Sequence, residues 1–168
     1  MDTNEFENIY NKILIRKNPN GDTRTAPKGI TFEQFDEANW SHKNDVRNVM
    51  YFLSRLIVKA GENHDWTKIE EPHEHDFYND FVATMNDGFN FIDGKWWNNH
   101  VNTERHHLLA HCPDDVNLID VLEMVADCTC AGLARSGEVR PMEINPDILV
   151  KAVENTSKLI QDMVEVKE

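Results

Sequence analysis

His64 and Asp65 are adjacent in the string His64-Asp65-Trp66-Thr67-Lys68, with His42 lying 22 positions upstream and Asp127 62 positions downstream. Two imidazoles and two carboxylates form a mixed nitrogen and oxygen donor set of the kind that holds a divalent metal ion; Mn, Fe, Co, Zn and Mg all stay open. Neighbouring residues on a regular helix point about 100° apart, so a doublet converges on one ion only where a helix ends and the chain bends. Gly61-Glu62-Asn63, immediately before the doublet, is such an end signal. If a helix restarts after Asp65, Lys68 falls one turn on and faces the same pocket. Its ammonium could there hold a phosphate oxygen or the attacking water.

Further donors follow. Asp127 sits among Val121, Leu122, Met124, Val125 and Ala126, where a carboxylate calls for a partner or a cation. Glu123 and Asp120 share its helical face, and Glu123 reads as an orienter of a histidine N–H. If 94–107 is one helix, His100 and His107 nearly superimpose, with Glu104 between them, and His106 points elsewhere. His100 with one of the pair His106 and His107 could then hold a second cation about 3.5–4 Å from the first. Arg105 and Arg135 are candidate anion clamps, with Arg105 the expected substrate contact. His73, His75 and His111 fit no position in the pattern.

This ordered set resembles the HD-domain superfamily of metal-dependent phosphohydrolases, and the His64-to-Lys68 string looks like the His-Asp-x-x-Lys box of its cyclic-dinucleotide phosphodiesterase branch. The His100, His106-His107 segment and the helix carrying Glu123 to Asp127 are similar to a poorly characterised family of that type, common in phage and bacterial genomes. Over residues 40–140 the resemblance implies an all-α bundle with the metal held between helices. It implies His42, His64, Asp65 and Asp127 as ligands, Asp65 and Lys68 as catalytic residues, and one or two divalent ions per chain. The spacing from His100 to His106 is shorter than is usual for the inserted pair of dinuclear members. The matching reaction is hydrolysis of a small nucleotide, as a phosphomonoester or a cyclic phosphodiester, by metal-activated water. Two other readings use the same residues: an acidic, non-catalytic binding or inhibitor protein with a structural metal, and a di-iron oxygenase.

Composition narrows the partners. The 168 residues carry a formal net charge of −13, a field that repels phosphate backbones, so no duplex nucleic acid is expected. A small nucleotide arriving with a metal ion is compatible, because the ion reverses the local sign. No apolar run approaches the roughly 20 residues of a membrane span, so no membrane partner is expected. The three cysteines are odd in number, Cys128-x-Cys130 lacks metal-pair spacing, and no apolar leader core is visible. A reducing cytoplasm, that of the bacterial host if phage-encoded, is the expected location. A homo-oligomer stays open.

The elements that must position these residues read as helices throughout. Phe6, Ile9, Ile13 and Leu14 predict a helix over 4–16, followed by a loop over 18–28 and a short helix opened by Thr31. A helix over 42–61, capped by Ser41, would turn Val46, Val49, Met50, Leu53, Leu56, Ile57 and Ala60 inward. Further helices are expected over 76–87, 94–107, 118–135 (ended by Gly137) and 146–165. The last would bury Ile148, Leu149, Val153, Leu159, Ile160 and Met163. No strand is expected. The expectation is a single all-α domain, with 1–30 and 145–167 packed on a metal-binding region of about 40–140.

Overall fold

The computed structural model of the chain describes residues 12–168. Its elements in order are strand β1 (Ile13–Arg16) and helices α1 (Phe32–Asn63), α2 (Trp66–Ile69), α3 (His73–Asp87), α4 (Lys95–Thr103), α5 (Leu118–Ser136) and α6 (Pro146–Met163), then strand β2 (Val164–Lys167). The fold is helical, as expected, apart from one two-stranded ribbon. Thr31 and Gln34 start α1 with a reciprocal capping box: Gln34 N–H donates to Thr31 Oγ1 at 3.3 Å and Thr31 N–H to Gln34 Oε1 at 3.1 Å. The expected break at Ser41 is absent. No proline lies between Phe32 and Asn63, so nothing interrupts the ladder and one 32-residue helix forms.

The chain divides into two compact units, one comprising the residues up to Leu56 with Ser157–Glu168 and the other Ile57–Thr156. In the first, β1 and β2 pair in parallel, from Ile13 with Val164 to Arg16 with Lys167. The expected helix over 4–16 is therefore corrected at residues 13–16, which form a strand with Ile13 and Ile15 half-buried; residues 4–11 lie outside the described residues. The last helix likewise ends at Met163, because Val164-Glu165-Val166-Lys167 alternates apolar and polar residues with the two-residue period of a strand. On α1, Phe52 is buried whereas Val46 and Met50, expected inward, are exposed.

The second unit carries the site. Here α2 packs on α3 and α3 on α4. A core of Leu108, Val116, Met124 and Ala152, flanked by Ile144 and Ile148, holds the segment after α4 against α5 and α6. Asn117 caps α5 in a box with Asp120, and Gly137, at φ 76°, closes it in the left-handed conformation that glycine adopts freely. The face that α6 buries in this unit is Ile148, Ala152 and Thr156, an i, i+4, i+8 row. Leu149 and Val153, expected inward, are 37% and 55% exposed. Thr156 Oγ1 accepts the Leu118 N–H at 2.9 Å, tying α6 to the start of α5.

Candidate metal centre

The His64-Asp65 doublet follows the end of α1 and precedes the short α2. Asp65 has φ 57° and ψ 26°, the one left-handed non-glycine residue among those described. An aspartate tolerates that region better than most residues, at some cost. The bend gives the doublet the common aim that a regular helix would deny it. His64 Nε2 lies 3.3 Å from Asp65 Oδ2 and 3.6 Å from Asp127 Oδ1. Lys68, one turn on, pairs with Asp65 Oδ2.

A second donor set meets the other oxygen of Asp65. Its Oδ1 lies 3.6 Å from His100 Nε2 and 3.7 Å from His106 Nε2, and His107 Nε2 lies 2.7 Å from His100 Nε2. Two groups with donor atoms within 4.8 Å of one another thus share Asp65: His64, Asp65 and Asp127, and Asp65, His100, His106 and His107. Donors at about 2.0–2.3 Å from a tetrahedral ion stand roughly 3.3–3.8 Å apart, the range of most of these separations. Asp65 Oδ1 and both ring nitrogens of His106 are buried without a hydrogen-bond partner. Buried polar atoms are rarely left unpaired, and here the orphaned atoms lie in one cluster of metal-capable donors. The residues present fit a metal ion.

Partners beside these two groups set the orientations, and Glu123 itself forms a third metal-capable group with His64 and His106. Glu123 Oε1 receives the His64 Nδ1–H at 3.0 Å and stands 3.0 Å from His106 Nδ1, out of line for a hydrogen bond. That carboxylate orients His64, the part a hydrogen-bonded partner plays for a metal-ligating histidine, and lies against His106 of the other set. His100 Nδ1 contacts Thr67 Oγ1 at 2.6 Å, and Thr67 Oγ1 donates onward to the buried Glu104 at 2.8 Å, so His100 Nδ1 is the donor and its Nε2 lone pair faces the cluster. Thr67 N–H also donates to Glu104, at 3.1 Å. Trp96 stacks on His100 at 4.4 Å between ring centroids and donates its indole N–H to the Thr67 carbonyl at 2.9 Å. Gly94 permits this packing: a Cβ there would lie 2.3 Å from Asp80 Oδ2, which accepts the Trp96 backbone N–H.

Burial, and then the neighbouring His107 and Lys68, push His100 down to about 3; burial, His106 and Lys68 push His107 down to about 4. Both are neutral at pH 7, the form that binds metals. Burial opposes the charge on Asp65, but Lys68, His64 and His100 outweigh it and hold its carboxyl below the ordinary range. Burial likewise acts against Glu123 and His106, yet each stabilises the other's charge, with Glu123 lowered and His106 raised.

Of the expected residues, His64, Asp65, Lys68, Asp127, His100, His106, His107 and Glu123 meet here. His42 does not. It lies exposed on α1 and in none of the metal-capable groups. On a continuous helix the 22 positions from His42 to His64 correspond to roughly 33 Å of axis. The single helix over 94–107 is also corrected: α4 stops at Thr103 and Glu104 is extended. Freed from the helix, His106 turns inward to 1% exposure. Arg105 is not a free clamp. Its guanidinium grips the buried Asp120 through two bonds of 2.7 and 2.8 Å and reaches Asp115 at 3.0 Å, which pins the loop ahead of His106. Thr67 carried no sequence signal beyond its place inside the doublet's string.

No helix among the described residues is long and apolar enough to cross a membrane. Comparison with curated proteins and with solved structures found no match. A family described as a family of unknown function, DUF5662, matches residues 31–165, from α1 into the start of β2 and including every donor of the centre. The chain belongs to that family.

Proposed function

We propose that this chain is a metal-dependent phosphohydrolase of HD-domain type, acting on a small phosphorylated substrate, most simply a nucleotide. The observation that carries the reading is Asp65 standing between two donor sets while its Oδ1 and the His106 nitrogens lack partners. His64, Asp65 and Asp127 would hold one divalent ion, and His100, His106, His107 and Asp65 a second. Bound there, such ions polarise phosphoryl oxygens and lower the pKa of water to about 7.

The chain's own residues supply the rest. Glu123 and the Thr67–Glu104 relay keep the His64 and His100 lone pairs turned inward, so little rearrangement of these two is needed when ligand arrives. Lys68, half-buried beside Asp65, offers positive charge to the phosphoryl oxygens as negative charge grows on them. The reaction forms a bond from water oxygen to phosphorus and breaks the ester P–O bond, the departing oxygen taking up a proton.

A second reading has its own observation. His100 and His106 are 0% and 1% exposed, which suits a structural ion that fastens the loop after α4. Metal analysis of protein purified without an affinity tag, then a panel of nucleotide monoesters and cyclic diesters with Mn, Co or Mg, separates the two. Metal-dependent phosphate release supports the hydrolase; tightly held metal with no turnover across the panel supports the structural ion.

A further inference from the structure

Beside the donor sets, within the second unit, lies a groove of about 320 Å³ lined by Asp127, Gly132, Arg135, Arg140, Met142 and other residues. Asp127 forms its link to the centre. Asp127, Ala131 and Arg135 form an i, i+4, i+8 row on α5, and the small Ala131 leaves the floor between the two ends open. By helix geometry the Cα atoms of Asp127 and Arg135 stand roughly 12 Å apart along the axis. An arginine side chain reaching back shortens that gap to the length of a small organic molecule.

The second arginine is placed by a tight reversal. After Gly137 the chain turns back along α5 and presses on Gly132, where a Cβ would lie 2.7 Å from the Glu138 carbonyl. Ser136 Oγ fastens the turn, 3.0 Å from Gly132 O and 3.2 Å from Glu138 O. Arg140 is thereby brought into the groove that Arg135 lines. Among the described residues the arginines in ion pairs are Arg24 and Arg105; Arg135 and Arg140 pair with no described carboxylate, although Glu143 lines the same groove. In a chain of net charge −13, two exposed arginines without an ion-pair partner line one groove together with Asp127 and Glu143, and planar guanidinium groups of this kind recognise phosphate in fork geometry.

We propose that the Arg135–Arg140 groove binds a second phosphate of the substrate, so that the preferred substrates are organic bisphosphates, one phosphate at the centre and the other at the arginines. This rests on the hydrolase reading for the cleaved phosphate, but the anion site stands on its own geometry. The test compares a nucleoside 3′,5′-bisphosphate with the corresponding 5′-monophosphate on the Mn-loaded full chain, by calorimetry and by phosphate release. Wild type and the Arg135→Gln/Arg140→Gln double variant are both measured, with metal content and circular dichroism as controls of folding. The bisphosphate should bind roughly 100-fold tighter than the monophosphate, as two charge-assisted arginine contacts supply. The double variant should bring that ratio to about one, with a raised KM wherever turnover is seen. Preferential bisphosphate binding lost in the double variant, with no phosphate released from either compound, supports the groove and overturns the hydrolase reading. Equal binding of the two compounds by wild type, binding of neither, or a ratio unchanged in the double variant overturns the groove.

Discussion

The two halves of the centre share Asp65 but are built differently. The half containing His100, His106 and His107 is sealed: Trp96 backs His100, Thr67 and Glu104 fix its tautomer, and the first two imidazoles are almost without exposure. The half containing His64 and Asp127 is open, with side chains 27% and 23% exposed; both border an apolar groove of about 310 Å³, and Asp127 also borders the arginine groove. Rigid support stands behind the sealed donors and access in front of the open ones. That division is what pre-organised catalysis asks of a two-part site, since reactive groups gain most when their supports do not have to reorganise.

The comparison predicts a graded series of effects. Asp65→Asn, which keeps a residue that tolerates the left-handed backbone, removes the carboxylate common to both halves. Metal content should fall below one equivalent by mass spectrometry and any hydrolysis should drop by about 10³-fold or more; retention of two equivalents would break the idea of a shared ligand. Lys68→Ala comes next. Turnover should fall about 10²-fold, the scale of one lost electrostatic contact to the transition state, while metal content stays as in wild type. Released metal would make Lys68 a support of Asp65 and nothing more.

Glu123→Gln weakens the acceptor of the His64 N–H and removes the negative charge beside His106. Affinity for Mn or Co, read by calorimetry, should decline about 10- to 100-fold at both sites; a loss at one alone would assign Glu123 to that half. Thr67→Val acts on the sealed half only. It breaks the relay from His100 to Glu104 and leaves buried polar groups short of partners, at about 1–3 kcal/mol. Thermal unfolding should shift down by several degrees, and one metal equivalent should bind about tenfold more weakly while the other is unaffected. His42→Ala should change neither metal content nor turnover, and a measurable loss of metal in that variant would reinstate the ligand expected from the sequence.

Much of this was legible beforehand. The helical fold, the bend at the doublet and the end of α5 at Gly137 all follow from local spacing and end signals. The His42 expectation was undone by arithmetic present in the sequence: a helix over 42–61 with His64 just beyond it already separates the two histidines by about six turns. The Val46, Met50 and Ile57 positions of α1 and the Leu149 and Val153 side of α6 were misread because an apolar stripe marks a face without saying what covers it. The ribbon was missed because strands as short as Ile13–Arg16 and Val164–Lys167 gain their hydrogen bonds only from each other, far apart in the chain.

The sequence by itself determined the donor types, their order and the bend at Asp65, because these depend on chemistry and on a few neighbouring residues. Only the tertiary structure decided which donors converge. His106 entered because α4 ends at Thr103, and Arg105 is held away from the cluster's donor set by the buried Asp120. Arg140 joined Arg135 because the chain reverses over Gly132. Each outcome turns on where a helix stops and what packs beyond it, and those are settled by long-range packing and by the satisfaction of buried polar groups, which local spacing does not encode.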